Sequence, residues 1–319
     1  MFKSLAEKVK QNPFRLVFTE GTDSRILEAA SRLEKDKLLT PILIGNVDEV
    51  KAAAKENNFD IEGILILDPL NYDKFDEMVD LLVELRKGKM DKEQCIEACK
   101  KGNYFGTMLV KMGLADGLLG GATYSTADTV RPALQIVKTA PGNNIVSSSF
   151  IMVKGDERYA FADCAINLEP TEDQLVDIAY QTVKTARVFD IDPKVAMLSY
   201  STLGSGKGAS VDKMRNATEK VLASNPDFGI VGEIQFDAAV SPTVAKVKVK
   251  DNDVAGYCNT FIFPDITSGN IGYKLVQRLG GFEALGPILQ GLAAPINDLS
   301  RGCNAEEVYK MSLITAALK

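Results

Sequence analysis

The chain has no histidine. That excludes a Ser-His-Asp or Cys-His nucleophile system, and it excludes the zinc sites that rely on imidazole. Acid–base work therefore falls to carboxylates, Lys, Tyr, Cys or the substrate itself. There is no Cys-x-x-Cys pair. The five cysteines are scattered, with Cys95 and Cys99 one helical turn apart, and an odd, dispersed set fits a reducing compartment. No stretch approaches the ~20 apolar residues of a membrane span, and MFKSLAEKVK at the start lacks a signal-like apolar run. The expectation is a cytoplasmic protein with no membrane partner. A net charge of -6 argues against a nucleic-acid partner bound by phosphate neutralisation, although local basic sites for small anions remain open.

What is present is the make-up of a soluble globular protein: 319 residues, 45% hydrophobic and 25% charged, enough for one large or two ordinary domains. Short apolar runs alternate with amphipathic stretches. Strands are expected at 15–20, 41–45, 63–68, 115–119, 195–200, 229–233 and 254–263, with a hairpin pairing 145–153 and 159–166 and Cys164 in its second strand. Helices are expected between them. Thr171 with Gln174 forms a capping box, and Thr22, Asp23 and Ser24 offer caps for a helix after 15–20. The fold class is α/β with largely parallel sheets.

Three stretches have the composition of sites. GPILQGLAAPINDLSRGCNAEE (286–307) gathers a hydroxyl, a guanidinium and carboxylates before a helix at Asn304, where anions are favoured. GGATYSTADTVRPALQIVKTAPG (120–142) brings Ser125, Thr126 and Arg131 to a helix start; it either holds a phosphate or simply caps the helix with Ser125, Thr126 and Asp128. STLGSGKGAS (201–210), with Ser205 and Lys207, lacks the GxxxxGK[ST] spacing of a P-loop, yet a Gly/Ser/Lys loop between strand and helix can cradle a phosphate. Arg25, in the first turn after Gly21, reads locally as an ordinary solvated arginine. Arg86, with Lys87 and Lys89, suits a helix C-terminus.

EGTDSRILEAA, STADTVRPALQIVKTAPG, FADCAIN, LSYSTLGSGKG and PINDLSRGC occur here in the order and context found in phosphate acetyltransferases (phosphotransacetylases), and the chain resembles that family over essentially its whole length. The resemblance implies reversible acetyl transfer between acetyl phosphate and coenzyme A, giving acetyl-CoA and phosphate. It also implies a two-domain, isocitrate/isopropylmalate dehydrogenase-like architecture. Residues 1–142 with 290–319 would form domain one, residues 143–289 domain two, and the active site would lie in the interdomain cleft. Homodimers are implied, as is a pathway link to acetate kinase through acetyl phosphate. No cofactor is tightly bound, no metal is needed, and coenzyme A is a substrate.

Carried over by motif, Ser300 would hydrogen-bond the thiol or developing oxyanion, and Arg301 would hold the phosphate. Arg131 and Arg86 match substrate-binding arginines, and Arg25 is a further coenzyme A contact. The family's base is an aspartate after SRGC. Here Glu307 stands in its place, one methylene longer, and its spacing from Asn304 is also that of a capping box. Glu306 and Asp298 are the other candidate bases. Direct thiolate attack is expected, with a ping-pong route through Cys164 or Cys303 as the less economical path. Phosphate butyryltransferase or another short-chain acyltransferase is the near alternative. A dehydrogenase on the same architecture and a non-catalytic binding module are the distant ones; no GxGxxG follows the first strand.

Overall fold

Apolar runs bounded by glycine or polar residues become strands, and the amphipathic stretches between them become helices. The computed structural model describes residues 2–250 and 252–319. In chain order it begins α1 (Phe2–Gln11), β1 (Arg15–Phe18), α2 (Ser24–Lys35), β2 (Thr40–Ile44), α3 (Val47–Glu56) and β3 (Leu65–Leu67). Next come α4 (Phe75–Arg86), α5 (Lys92–Cys99), α6 (Gly102–Lys111), β4 (Gly117–Gly120), α7 (Thr126–Pro132) and a π-helical turn at Ala133–Val137. The middle of the chain supplies β5 (Ser147–Lys154), β6 (Glu157–Ala162), α8 (Glu172–Val188), β7 (Lys194–Leu198), α9 (Ala209–Ala223) and β8 (Gly229–Ile234). It continues with α10 (Phe236–Val240), α11 (Pro242–Lys248), β9 (Thr260–Ile262), α12 (Ile266–Arg278) and β10 (Glu283–Gln290). β11 (Ile296–Asp298) and α13 (Ala305–Ala317) follow. These form two compact units: Met1–Pro141 with Leu292–Lys319, and Gly142–Gly291.

The first unit is built on a five-stranded sheet ordered β11-β4-β1-β2-β3, parallel throughout. Leu16, Val17 and Phe18 of β1 are fully buried, as a strand covered on both faces requires. Burying each such side chain is worth about 1.5–3 kcal/mol. Val17, Ile42, Met78, Leu82, Phe105 and Leu118 share one core cluster. Side-chain caps fix where helices start: Asp23 accepts from Arg25 N, and Asn46 accepts from Asp48 N and Glu49 N. Because all five strands run one way, Glu20, Gly121 and Leu299 leave the sheet at the same edge, where α/β proteins gather their ligand sites.

The second unit has a mixed six-stranded sheet, β10-β5-β6-β9-β7-β8. β10, β5 and β6 pair antiparallel; β6, β9, β7 and β8 pair parallel. Aromatic and aliphatic residues of β6, β9 and β8 fill one cluster, including Phe161, Phe261 and Val231. Leu175, Ile178 and Val183 of α8 pack in another.

Several expectations need correction. The expected strand at 254–263 shrinks to Thr260–Ile262. Asn252 accepts from Val254 N and Ala255 N, and Gly256 takes a φ of +86°, so the segment turns before it extends. Cys164 lies beyond β6, not in it: Asp163 accepts from Ala165 N, Ile166 N and Asn167 N and bends the chain there. The 286–307 stretch is not one element. Its first residues belong to β10, whose register shifts between Leu285 and Ile288 around Gly286 and Pro287. Ile296–Asp298, two-thirds polar, is a buried strand.

Candidate active site

The carboxyl edge of the first sheet is held by two carboxylates. Glu20, just past β1, accepts through Oε1 from Gly121 N (3.1 Å), Thr123 N (3.0 Å) and the Thr123 hydroxyl (3.3 Å). Its Oε2 accepts from the Thr19 hydroxyl (2.8 Å), and that hydroxyl lies 2.6 Å from the Tyr124 phenol oxygen. Asp298, at the end of β11, accepts from the hydroxyls of Thr126 (2.6 Å) and Thr129 (2.5 Å). Burial raises both carboxyls above the ordinary carboxylate range, against the pull of these hydrogen bonds. Gly121 lies between them. Its φ is +103°, and any Cβ there would collide with Asp298 Oδ1, so only glycine fits.

Arg25 ties three segments together. Its Nε and Nη2 form a two-pronged pair with Asp23 (2.9 and 2.7 Å), Nη2 also donates to Ala122 O (2.9 Å), and Nη1 donates to Arg301 O (2.8 Å) and Cys303 O (3.1 Å). A guanidinium has five N–H donors, and all five are engaged here. The residue that reads locally as solvated anchors the loop after β11 to the loop after β4.

That anchored loop carries Ser300 and Arg301, both exposed. Gly302 N donates to the Ser300 hydroxyl oxygen (3.3 Å), leaving the hydroxyl proton free to donate elsewhere. The Arg301 side chain has no ion-pair partner among the described residues. The three candidate bases are in different situations. Asp298 is buried and accepts two hydroxyls. Glu306 pairs with Arg32 Nη2 at 2.7 Å on α2. Glu307 is exposed and completes the capping box of α13: Asn304 Oδ1 accepts from Glu307 N (2.9 Å), and Glu307 Oε2 accepts from Asn304 N (3.2 Å). Cys303 is buried; burial, opposed by Arg25 and aided by the negative charges of Glu307, Asp23 and Glu20, pushes its thiol up to about 11. It is a poor thiolate near neutral pH.

Ser125 and Thr126 open α7 at exposed positions, and their hydroxyls donate to acids: Ser125 to Asp128 (2.7 Å) and Thr126 to Asp298. Arg131, at the other end of α7, is exposed and has no ion-pair partner among the described residues. It lies near Tyr104 of α6, as does Arg86 of α4. Burial raises the Tyr104 phenol, and the two arginines, Arg131 ahead of Arg86, oppose that shift. Tyr104 donates to Gln135 (2.9 Å), and Asn103 Nδ2 donates to Asp128 O (2.7 Å). Arg86 Nε is buried with no hydrogen-bond partner, a group that calls for an acceptor. The first unit thus brings two arginines to one phenol.

In the second unit, the loop after β7 folds around a different acid. Glu233 of β8 is fully buried; its Oε1 accepts from Gly204 N (2.6 Å) and the Ser201 hydroxyl (3.1 Å), while its Oε2 has no partner. Thr202 N donates to Ser205 Oγ (2.9 Å), Gly206 N to Ser201 Oγ (2.9 Å) and Ser205 N to Thr202 O (3.1 Å). Of the amides in the 201–210 loop, those of Thr202, Ser205 and Gly206 bond within the loop and those of Leu203 and Gly204 bond Glu233. Lys207 projects, exposed and without an ion pair among the described residues.

Sequence reasoning missed Glu20, Thr129, Tyr104 and Glu233. Glu20 and Glu233 did leave a signal: each is an acid ending a buried run, RLVFTE and GIVGE. No described helix is long and apolar enough to cross a membrane.

Comparison with known proteins gives a consistent result. A profile described as phosphate acetyl/butaryl transferase matches residues 1–316. A phosphate acetyltransferase of Bacillus subtilis is 53% identical over 317 residues, covering 99% of this chain and 98% of that one. A crystal structure of a phosphotransacetylase from Streptococcus pyogenes superposes with a TM-score of 0.97 at 53% identity, over 99% and 97% of the two chains. A branched-chain phosphotransacylase from Enterococcus faecalis, 18% identical with a TM-score of 0.69 over 96% and 99% of the chains, shares the fold.

Proposed function

The chain belongs to the phosphate acetyl/butaryl transferase family and is an acyltransferase, and from that premise we propose that it is a phosphate acetyltransferase. It moves the acetyl group reversibly between acetyl phosphate and coenzyme A. The coenzyme A sulfur bonds to the carbonyl carbon, the carbon–oxygen bond to phosphate breaks, and phosphate departs. Glu307 takes the thiol proton, Ser300 donates a hydrogen bond to the thiol or the developing oxyanion, and Arg301 neutralises the phosphate. Arg131 and Arg86 bind the anionic substrates, and Ser205 and Lys207 meet the phosphates of coenzyme A. Arg25 acts by fixing the Arg301 loop, since its own donors are engaged.

The observation that carries this reading is the free guanidinium of Arg301 on a loop held by two hydrogen bonds from Arg25. A cation on a braced loop, with no ion-pair partner among the described residues, is ready for an anion. Glu307 is favoured over Asp298, which is buried and accepts two hydroxyls, and over Glu306, whose carboxylate is paired with Arg32. A thiol of pKa about 8.5 needs modest help to ionise, which a carboxylate supplies. Cys164 and Cys303 are buried thiols raised by that burial, which supports direct attack over a covalent enzyme intermediate.

The test is thioester formation from acetyl phosphate and coenzyme A, run beside butyryl phosphate, for wild type, Ser300→Ala, Arg301→Ala and Glu307→Gln. Acetyl transfer that collapses in the Arg301 and Glu307 variants is expected. Preference for butyryl phosphate would move the assignment to a butyryltransferase. An unimpaired Glu307→Gln would remove it as the base.

We also propose that the protein is a cytoplasmic homodimer, its acetyl phosphate shared with acetate kinase. Support for self-association comes from α12. One side packs inward, with Tyr273 stacked on Phe150; the other exposes Ile271, Leu275 and Leu279 at helical spacing. A helix apolar on both sides calls for a second partner, and sedimentation of Leu275→Glu checks it: an unchanged oligomeric state removes this face.

A further inference from the structure

We propose that Glu20 is a positioning residue of the acyl-transfer site, holding the Gly121–Thr123 turn and, through it, the start of α7. The acid comes from β1, but three of its four hydrogen bonds reach the turn after the neighbouring strand β4, about a hundred positions away in the chain. It bonds the backbone at Gly121 and Thr123, and between them Ala122 O accepts from Arg25. Past the turn, Tyr124 reaches back to Thr19, whose hydroxyl donates to Glu20 Oε2, and Thr126 and Thr129 reach Asp298. The turn is thus fixed on one side by Glu20 and on the other by Asp298, the last residue of β11, which leads into Ser300 and Arg301. A shift of the turn moves both the Arg131 helix and the Asp298 contact.

Among the described residues Glu20 makes no hydrogen bond to the Arg301 loop, and both its oxygens already have donors. Its role is therefore geometric: acceptor oxygens at the right reach. Glutamine keeps that reach and one carbonyl acceptor for the two N–H groups. Aspartate keeps the charge but withdraws it by one methylene. Geometry and charge can therefore be separated by two conservative variants.

The experiment measures kcat/KM for acetyl transfer to coenzyme A and thermal melting for Glu20→Gln, Glu20→Asp and Glu20→Ala, beside Arg131→Ala. A positioning role predicts Glu20→Gln within about tenfold of wild type and Glu20→Ala down by about a hundredfold, the size expected of a small displacement of catalytic groups. Glu20→Asp should fall below Glu20→Gln, and that order still decides the matter if Glu20→Ala does not fold. Glu20→Asp above Glu20→Gln, or Glu20→Ala equal to wild type, overturns the proposal. In the Arg131→Ala background, Glu20→Ala should add less than its full single effect, because the two act through one helix. The inference rests on the proposed acetyl-transfer function, whose failure would show as no transfer by the wild type, and on the proposed role of α7 for that last comparison. If Arg131→Ala alone is unimpaired, the substrate role of Arg131 fails, while the order of the Gln and Asp variants still decides Glu20.

Discussion

The loop after β4 and the loop after β7 are built alike and end up differently. Each leaves a parallel strand, is rich in glycine and hydroxyl residues, and is held by an acid from the adjacent strand: Glu20 from β1 and Glu233 from β8. In the first unit both oxygens of the acid have partners, and the nearby guanidinium of Arg301 is left free. In the second unit the loop closes on its acid, uses its own amides, and leaves one buried oxygen, Glu233 Oε2, without a partner. Glycine and hydroxyl content alone therefore does not tell which donors a loop leaves for an anion. What matters is whether its donors are already engaged, and by whom.

The sharpest way to break the comparison is Arg301→Ala. If Arg301 holds the leaving phosphate as proposed, its loss should lower kcat/KM by about 10²–10³-fold, on the scale of a lost oxyanion donor. A steady-state assay checks it; a loss below tenfold would mean that Arg301 does not hold the phosphate. Next is Gly121→Ala, which must accept a positive φ and a collision with Asp298 Oδ1. A destabilisation of about 2–4 kcal/mol is expected from strain and displaced hydrogen bonds, read by chemical denaturation. Glu233→Ala should be milder, about 1–3 kcal/mol, because it strips the acceptor from Gly204 N and Ser201 but also removes an unpartnered oxygen.

The pH dependence sharpens the contrast further. Asp298 has its carboxyl raised by burial, so its contribution to stability is fully present below the unfolded carboxylate value, about 3.9, and is lost as pH rises through the folded value. Asp298→Asn does not titrate there. Melting curves should show wild type losing ground relative to this variant as pH rises from about 4 towards neutrality; the opposite trend would mean that the two threonine hydroxyls outweigh burial. The smallest effect belongs to Lys207→Ala, an exposed side chain expected to raise the KM for coenzyme A less than about tenfold without altering stability, since a single exposed charge contact is worth at most ~1 kcal/mol.

Much of this was legible from residue types. Asp23 caps α2, Thr171 and Gln174 form their capping box, and the alternation of strands and helices is as the sequence implies. Asn304 and Glu307 were readable as a capping pair, and they are one. What escaped depends on residues distant in sequence. Arg25 looks like a solvated helix-start arginine until its partners 97 and 276 positions away are known. Ile296–Asp298 looks like a polar loop because the reasons for burying Asn297 and Asp298 lie elsewhere: Thr315 accepts from Asn297, and Thr126 and Thr129 donate to Asp298. Periodicity reports which face of an element is buried; it is silent about which acceptor a buried hydroxyl will find.

The return of the chain to complete the first sheet has a consequence for synthesis. Thr129 and Asp298 are 169 positions apart, so at ~5–20 residues per second a ribosome needs roughly 10–35 s to supply the second after the first. Throughout that interval β4 is an open sheet edge with an apolar sequence, able to pair with the wrong strand. The intervening residues hold every strand of the second unit, which can finish its own sheet first. The nascent chain is thus born with its central portion complete and its first sheet pending, and the arrival of β11 closes the exposed edge and brings in the loop of Ser300 and Arg301 in the same step.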